Sequence, residues 1–255
     1  MNNRRLAVFV EGQTELIFVR EFLKQWYGYD INVVGFDCYN LLANEFCDAE
    51  YKYGSEDSEN YFMLVNVGND NSVLSSIIGR LKFLRNKGFQ LVVGLRDMYS
   101  SQYIKDAKKH EIVDKISGEH VESVKKVLKD IEDGVFVDFH FAIMEIEAWF
   151  LGIDGFMERL DKRLTQDFIS HNLNISFDDD PEKTVFHPAE EWGKIYDLIG
   201  KKYNKHKSDI SSIMSVLTND DFLRLIHSGK CNTFKMFAES LLGQKFKKSA
   251  SIAEG

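Results

Sequence analysis

The chain alternates short apolar runs with segments of helical period, and that alternation defines the first 155 residues. "LAVFV" (Leu6–Val10) is apolar without a break, the signature of a strand covered on both faces. A helix is predicted from Thr14, with Leu16, Val19, Leu23 and Trp26 on one face and Thr14 as its N-cap. "YFMLVNVG" reads as a second strand, followed by one helix near Ser72–Asn86. "QLVVGL" (Gln90–Leu95) is a third strand, running into Arg96 and Asp97. "HVESVKKVLKDIEDG" is amphipathic, with Val121, Val124, Leu128 and Ile131 on one face and Gly134 at its end. "VFVDFHFAIM" is a fourth strand, and "EIEAWFLG" opens another helix with Trp149 and Phe150 as core residues. The intervening "FDCYNLLANEFCDAEYKYGSEDSEN" fits neither period, and its end reads as loop.

Strands alternating with helices imply an α/β fold with a mostly parallel four-stranded sheet flanked by helices. The pattern changes near Leu160. "NISFDDDPEKTVFHPAEEW" holds both prolines and a run of acids, and reads as a connector. Helical periodicity then continues to about Gln244. The predicted organisation is an α/β domain over residues 1–158 and a mostly helical extension over 159–255, with a frayed tail.

Composition narrows the class only modestly. With 44% hydrophobic and 28% charged residues the chain is an ordinary globular sequence, and no apolar run reaches the roughly 20 residues a membrane span requires. The apolar start is too short for a signal peptide and is interrupted by Glu11, so a cytoplasmic location is the expectation. Cys38, Cys47 and Cys231 have no metal-ligand spacing and read as reduced thiols. The net charge of −8 argues against a nucleic-acid binder that works by bulk electrostatics alone. The charge is uneven: residues 181–255 carry 12 basic against 9 acidic side chains, a balance of +3 against −11 for the first 180.

In an open parallel sheet, ligands bind beyond the carboxyl ends of the strands. The first strand ends in Glu11, the third in Asp97 and the fourth in Glu145 and Glu147; Asp70, after the second, is a weaker candidate. Acids gathered at one edge repel one another unless a cation neutralises them, and Mg2+ or Mn2+ with oxygen ligands suits such a site. Bound there, the ion could support phosphodiester cleavage. The bland reading is that Glu11 and Asp97 each simply cap a following helix. If Glu145 and Glu147 both open a helix they face different ways, so at least one of them is structural.

The residues that carry this pattern resemble a known fold. "VEGQTELIF" after a strand, an aspartate after the third strand and the strand–helix order resemble the TOPRIM fold of topoisomerases, bacterial primases and OLD-family nucleases. "VEGQTE", "VVGLRDMY", "AIMEIEAWFLG" and "HPAEEWGKIYDLIGKKYNK" together resemble a TOPRIM-like bacterial family, uncharacterised in activity and often encoded beside ATPases in phage-defence loci. The resemblance runs from about Arg5 to Leu242. It implies a metal-dependent nuclease. Glu11 would be a general acid or base or a metal ligand, Asp97 a Mg2+ ligand, nucleic acid (DNA before RNA) the substrate and an ATPase the partner protein. The superfamily's second aspartate is replaced by Tyr99, and a phenol with a pKa near 10 is a poor ligand for Mg2+. Either Glu145 or Glu147 supplies the missing carboxylate, or the metal site is weaker. The catalytic set implied is Glu11, Asp97 and Glu147; the metal set adds Glu145. The alternative is a non-catalytic module that binds metal, nucleotide or a partner.

Further candidates are less specific. Lys194, Lys201, Lys202, Lys205 and Lys207 could meet phosphate, although such a group is ordinarily a solvated helix face. His187 before Pro188 fits the family pattern, and a single histidine is ordinarily structural. No Walker loop is present, so any use of ATP would belong to the partner. A homodimer is the commonest assembly, but nothing in the sequence specifies one.

Overall fold

The structure is a computed structural model that describes residues 3–69, 72–107, 110–129, 131 and 134–246. Asp70 and the end of the C-terminal tail lie outside the described residues. The first strand, β1 (Arg4–Val10), is central. It pairs in parallel with β4 (Asn60–Asn66) on one side and β5 (Leu91–Asp97) on the other. Beyond β5 lies β6 (Phe136–Ala142), also parallel. Beyond β4 lies β2 (Val34–Asn40), whose outer edge carries the two-residue antiparallel β3 (Glu45–Phe46). The sheet order is β3-β2-β4-β1-β5-β6.

Six strands replace the four expected. The two additions come from the stretch without a clear period, because β2 reads "VGFDCYN". Gly35 is there for closeness: a Cβ would fall 2.2 Å from the Ser55 carbonyl oxygen. Asp37 accepts the Tyr61 hydroxyl at 2.8 Å and pairs with Lys52 at 3.3 Å. Partners elsewhere in the fold make a polar strand acceptable, and they have no local signature.

Alternate residues of β1 enter different cores. Leu6, Val8 and Val10 face the larger one; Ala7 and Phe9 face a smaller one with α2 (Val73–Ile78) and α3 (Leu81–Asn86). The single helix expected over Ser72–Asn86 is therefore two, broken at Gly79–Arg80. Below the β5–β6 end, α4 (Ser101–Ala107) and α5 (Asp114–Lys129) enclose a third cluster; α5 starts six residues before the predicted run and ends well short of Gly134.

The larger core joins α1 (Gln13–Trp26) and α6 (Glu147–Leu151) to the helices that follow: α7 (Met157–Leu160), α8 (Gln166–Leu173), α9 (Pro181–Thr184), α10 (Pro188–Asp197), α11 (Lys207–Val216), α12 (Asn219–Ser228) and α13 (Asn232–Leu242). The segment read as a connector thus contains α9 and the start of α10. Phe18 is the aromatic hub, with ring centroids of Trp149, Phe150, Phe234 and Phe222 at 5.4, 5.7, 6.1 and 6.3 Å. Trp149 and Phe150 are core residues as predicted, both fully buried. The C-terminal layer is also tied by polar contacts. Arg4 donates to the Leu241 and Ser240 carbonyls at 2.7 and 3.2 Å, and the Trp149 indole donates to Glu182 at 2.9 Å. No helix among the described residues is long and apolar enough to cross a membrane.

Candidate metal centre

Register brings the acids together. Val10 pairs with Leu95, and Asp97 pairs with Ala142, so the ends of β1, β5 and β6 lie side by side. Glu11 follows β1, and its Oε2 accepts the Asp97 backbone N–H at 3.2 Å. Gly12 then turns the chain into α1. The residue that closes this helix end is Glu15, whose Oε2 accepts the Gly12 N–H at 2.9 Å. Thr14, expected as the N-cap, lies inside the helix instead.

At the end of β6 the chain makes a tight turn: Met144 has φ +60°, and the Glu145 N–H donates to the Ile143 carbonyl at 3.0 Å. Helix α6 begins only at Glu147, so Glu145 is not part of it. The argument that residues two apart in a helix diverge therefore does not apply. Asp97, Glu145 and Glu147 converge, with one carboxylate oxygen from each within 4.8 Å of the others. The turn is locked to β5, because the Ile146 N–H donates to Asp97 Oδ1 at 3.2 Å.

These acids are taken far from water. Glu147 is fully buried, Asp97 is 7% exposed and Glu15 5%. Burial raises the pKa of Asp97 well above the ordinary carboxylate range, reinforced by Glu15, Glu11 and Glu147. Burial likewise raises Glu147, with Glu145 adding to it, and pushes Glu15 up to about 7. A cluster of this kind needs positive charge.

Lys205 supplies some. Its ammonium lies 2.6 Å from Glu145 Oε1 and 3.3 Å from Glu147 Oε2. Burial alone would lower its pKa, but Glu147, Asp97 and Glu145 together outweigh that and raise it. Glu145 Oε2 accepts the Ala189 N–H at 3.0 Å near the start of α10, and the Tyr203 hydroxyl donates to Glu147 Oε1 at 2.6 Å. Glu147 Oε2 is buried and accepts no hydrogen bond, although the Lys205 ammonium faces it as an ion pair at 3.3 Å. An all-oxygen donor set with one such atom, set among carboxyls that burial has destabilised as anions, fits a small hard divalent cation.

The remaining predicted residues fall elsewhere. Tyr99 turns its ring towards His187 (centroids 5.4 Å apart) and Phe186, and its phenol is raised by burial and by the nearby charges of Glu145 and Glu190. His187 shares a 2.8 Å hydrogen bond with His110. Lys194 pairs with Glu191 and Lys207 with Glu50, whereas Lys201 and Lys202 are exposed. A solvated face thus describes most of that lysine group but not Lys205. The sequence reading missed Glu15, because Gly12 has no side chain and "GQTE" is only half of a capping box, and Tyr203, which has no local signal.

Asp138, His140 and Ser240 also meet, but not as a proton relay. His140 Nε2 faces both Ser240 Oγ (2.9 Å) and Asp138 Oδ2 (3.3 Å), whereas a relay uses the two ring nitrogens separately. This network pins α13 to β6.

Comparison of the chain with protein-family models, with curated proteins and with solved structures finds no match.

Proposed function

We propose that the chain is a TOPRIM-type, Mg2+- or Mn2+-dependent nuclease that hydrolyses phosphodiester bonds in nucleic acid. The observation that carries the reading is the convergence of Asp97, Glu145 and Glu147 at the carboxyl edge of a parallel sheet, with a buried Glu147 oxygen that accepts no hydrogen bond. These three would hold the ion, which when bound would supply Lewis-acid stabilisation of charge on phosphate oxygens. Asp97 is fixed by the Ile146 N–H, and Glu145 by the Ala189 N–H, so both carboxylates are oriented in advance. Glu11, beside Asp97 and only half-buried, is the group placed to hold or move a proton at the rim. The reading extends to DNA as the preferred substrate and to an ATPase partner, in defence or DNA maintenance, by the family resemblance.

A second reading is a non-catalytic metal- or nucleotide-binding module that works with such a partner. It is favoured by Lys205, whose ammonium already pairs with two of the three carboxylates. One set of assays separates the two readings. Supercoiled plasmid, linear DNA and RNA are incubated with Mg2+ or Mn2+ and wild type, Glu11→Gln, Asp97→Asn or Glu147→Gln, while Mn2+ binding is measured in parallel. The nuclease reading expects cleavage that chelator and each substitution abolish. Mn2+ binding without cleavage of any substrate supports the module, and failure to bind Mn2+ refutes the metal centre.

A further inference from the structure

The segment that delivers Lys205 is neither helix nor strand. Residues 201–206 cross from α10 to α11 without regular structure, and Lys205 itself has φ +57°, a left-handed conformation that residues with side chains rarely adopt. Asn204 and His206 on either side donate their N–H groups to one oxygen of Asp209, at 2.9 and 3.1 Å. That clasp projects Lys205 at the acids. Tyr203, on the same segment, adds its bond to Glu147. The strap is therefore latched at two points, and both points are carboxylates of the candidate metal set.

We infer that Lys205 is an internal cation that competes with the divalent ion, so that metal loading displaces its ammonium from Glu145 and Glu147 and loosens the strap 201–206. This rests on the metal-binding reading above. The argument is one of occupancy and charge. An ammonium hydrogen-bonded to Glu145 Oε1 and paired at 3.3 Å with Glu147 Oε2 occupies the space a divalent ion needs at about 2.1–2.5 Å from those oxygens, and two cations that close repel. In the absence of divalent ion, the lysine keeps the carboxylates from repelling one another. When the ion is bound, that role ends and the latch is weakened at Lys205. Metal occupancy then becomes readable at the surface, as exposure of a segment between two helices of the C-terminal layer.

The test uses the full chain. Mn2+ binding is measured by calorimetry and by the electron paramagnetic resonance signal of free Mn2+, for wild type, Lys205→Met and Lys205→Arg. Hydrogen exchange of residues 201–206 is followed in wild type with and without saturating Mn2+. Removal of the competing charge is expected to tighten Mn2+ binding about tenfold or more in K205M. K205R, which keeps a cation, is expected to stay within about threefold of wild type. Exchange in the strap is expected to quicken on Mn2+ binding. Mn2+ binding by K205M no tighter than by wild type overturns the competition, as does slower or unchanged exchange, and either result leaves the metal centre standing. Absence of Mn2+ binding in every variant overturns this inference and the metal centre together. Should K205M fail to fold, as its circular dichroism would show, the wild-type exchange experiment decides alone.

Discussion

Phe18 offers the sharpest test of how the sheet and the C-terminal helices hold one another. It is 1% exposed, and its ring meets Trp149 and Phe150 of α6, Phe222 of α12 and Phe234 of α13. Phe18→Ala removes a phenyl ring from the junction of four helices that cannot all close in on the void. Large-to-small changes at such aromatic sites lose about 3–5 kcal/mol, the sum of lost transfer energy and the residual cavity. Against a total of about 5–15 kcal/mol this is a large fraction, and for a chain of this size it lowers the melting temperature by roughly 10 °C. The assay is urea denaturation followed by tryptophan fluorescence and by circular dichroism. Because Trp149 touches Phe18 and the helical signal comes from all layers, the two probes should shift together. A loss under about 2 kcal/mol would refute the hub. A second transition confined to one probe would refute the shared core. Phe18→Leu, which refills part of the volume, should recover more than half of the loss.

Two other perturbations probe separate links. Asp138 is held down to about 2, first by its hydrogen bond with His140, against the opposing effect of burial. A carboxylate with a depressed folded pKa stabilises above its unfolded pKa near 3.8 and loses that contribution as pH falls towards 2. The stability gap between wild type and Asp138→Asn should therefore be widest above pH 5 and narrow between pH 4 and 2, by thermal melts across that range; a constant gap would contradict the assignment. At the turn before α6, Met144→Val places a β-branched residue at φ +60° and is expected to lose about 1–3 kcal/mol, with weakened Mn2+ binding. Met144→Gly relieves the backbone but empties a buried site, so it should bind Mn2+ better than the valine variant without regaining full stability. Equal Mn2+ affinities for the two variants would show that the turn does not aim the carboxylates.

How far the sequence could be read varies with the range of the interactions. Four strands were visible because unbroken apolar runs such as Leu6–Val10 report burial on both faces directly. β2 was hidden because Gly35 and Asp37 answer to Ser55 and Tyr61, which approach only in the fold. The carboxyl-edge rule located Glu11, Asp97, Glu145 and Glu147, and register explains why: the ends of β1, β5 and β6 are adjacent. The orientation of Glu145 was not readable, since helical geometry was assumed where Met144 instead reverses the backbone. Lys205 was one lysine among five. What separates it from Lys201 and Lys202 on the same strap is its left-handed backbone and the Asp209 clasp on either side, which aim it at the acids, and no nearby residue pattern encodes that.

The bond from Arg4 to the Leu241 carbonyl spans 237 residues, and that distance has a meaning in time. A ribosome completes β1 long before α13, so the first strand waits for its last partner through nearly the whole synthesis. The carboxylates of Asp97, Glu145 and Glu147 likewise emerge before Lys205, whose ammonium pairs with Glu145 and Glu147 in the folded protein. Until that lysine arrives, closing the sheet edge would bury like charges together, and the apolar face around Phe18 and Trp149 has nothing to rest on. The acidic centre is thus among the last features to form, and a chain released early would carry the acids without the lysine that pairs with them.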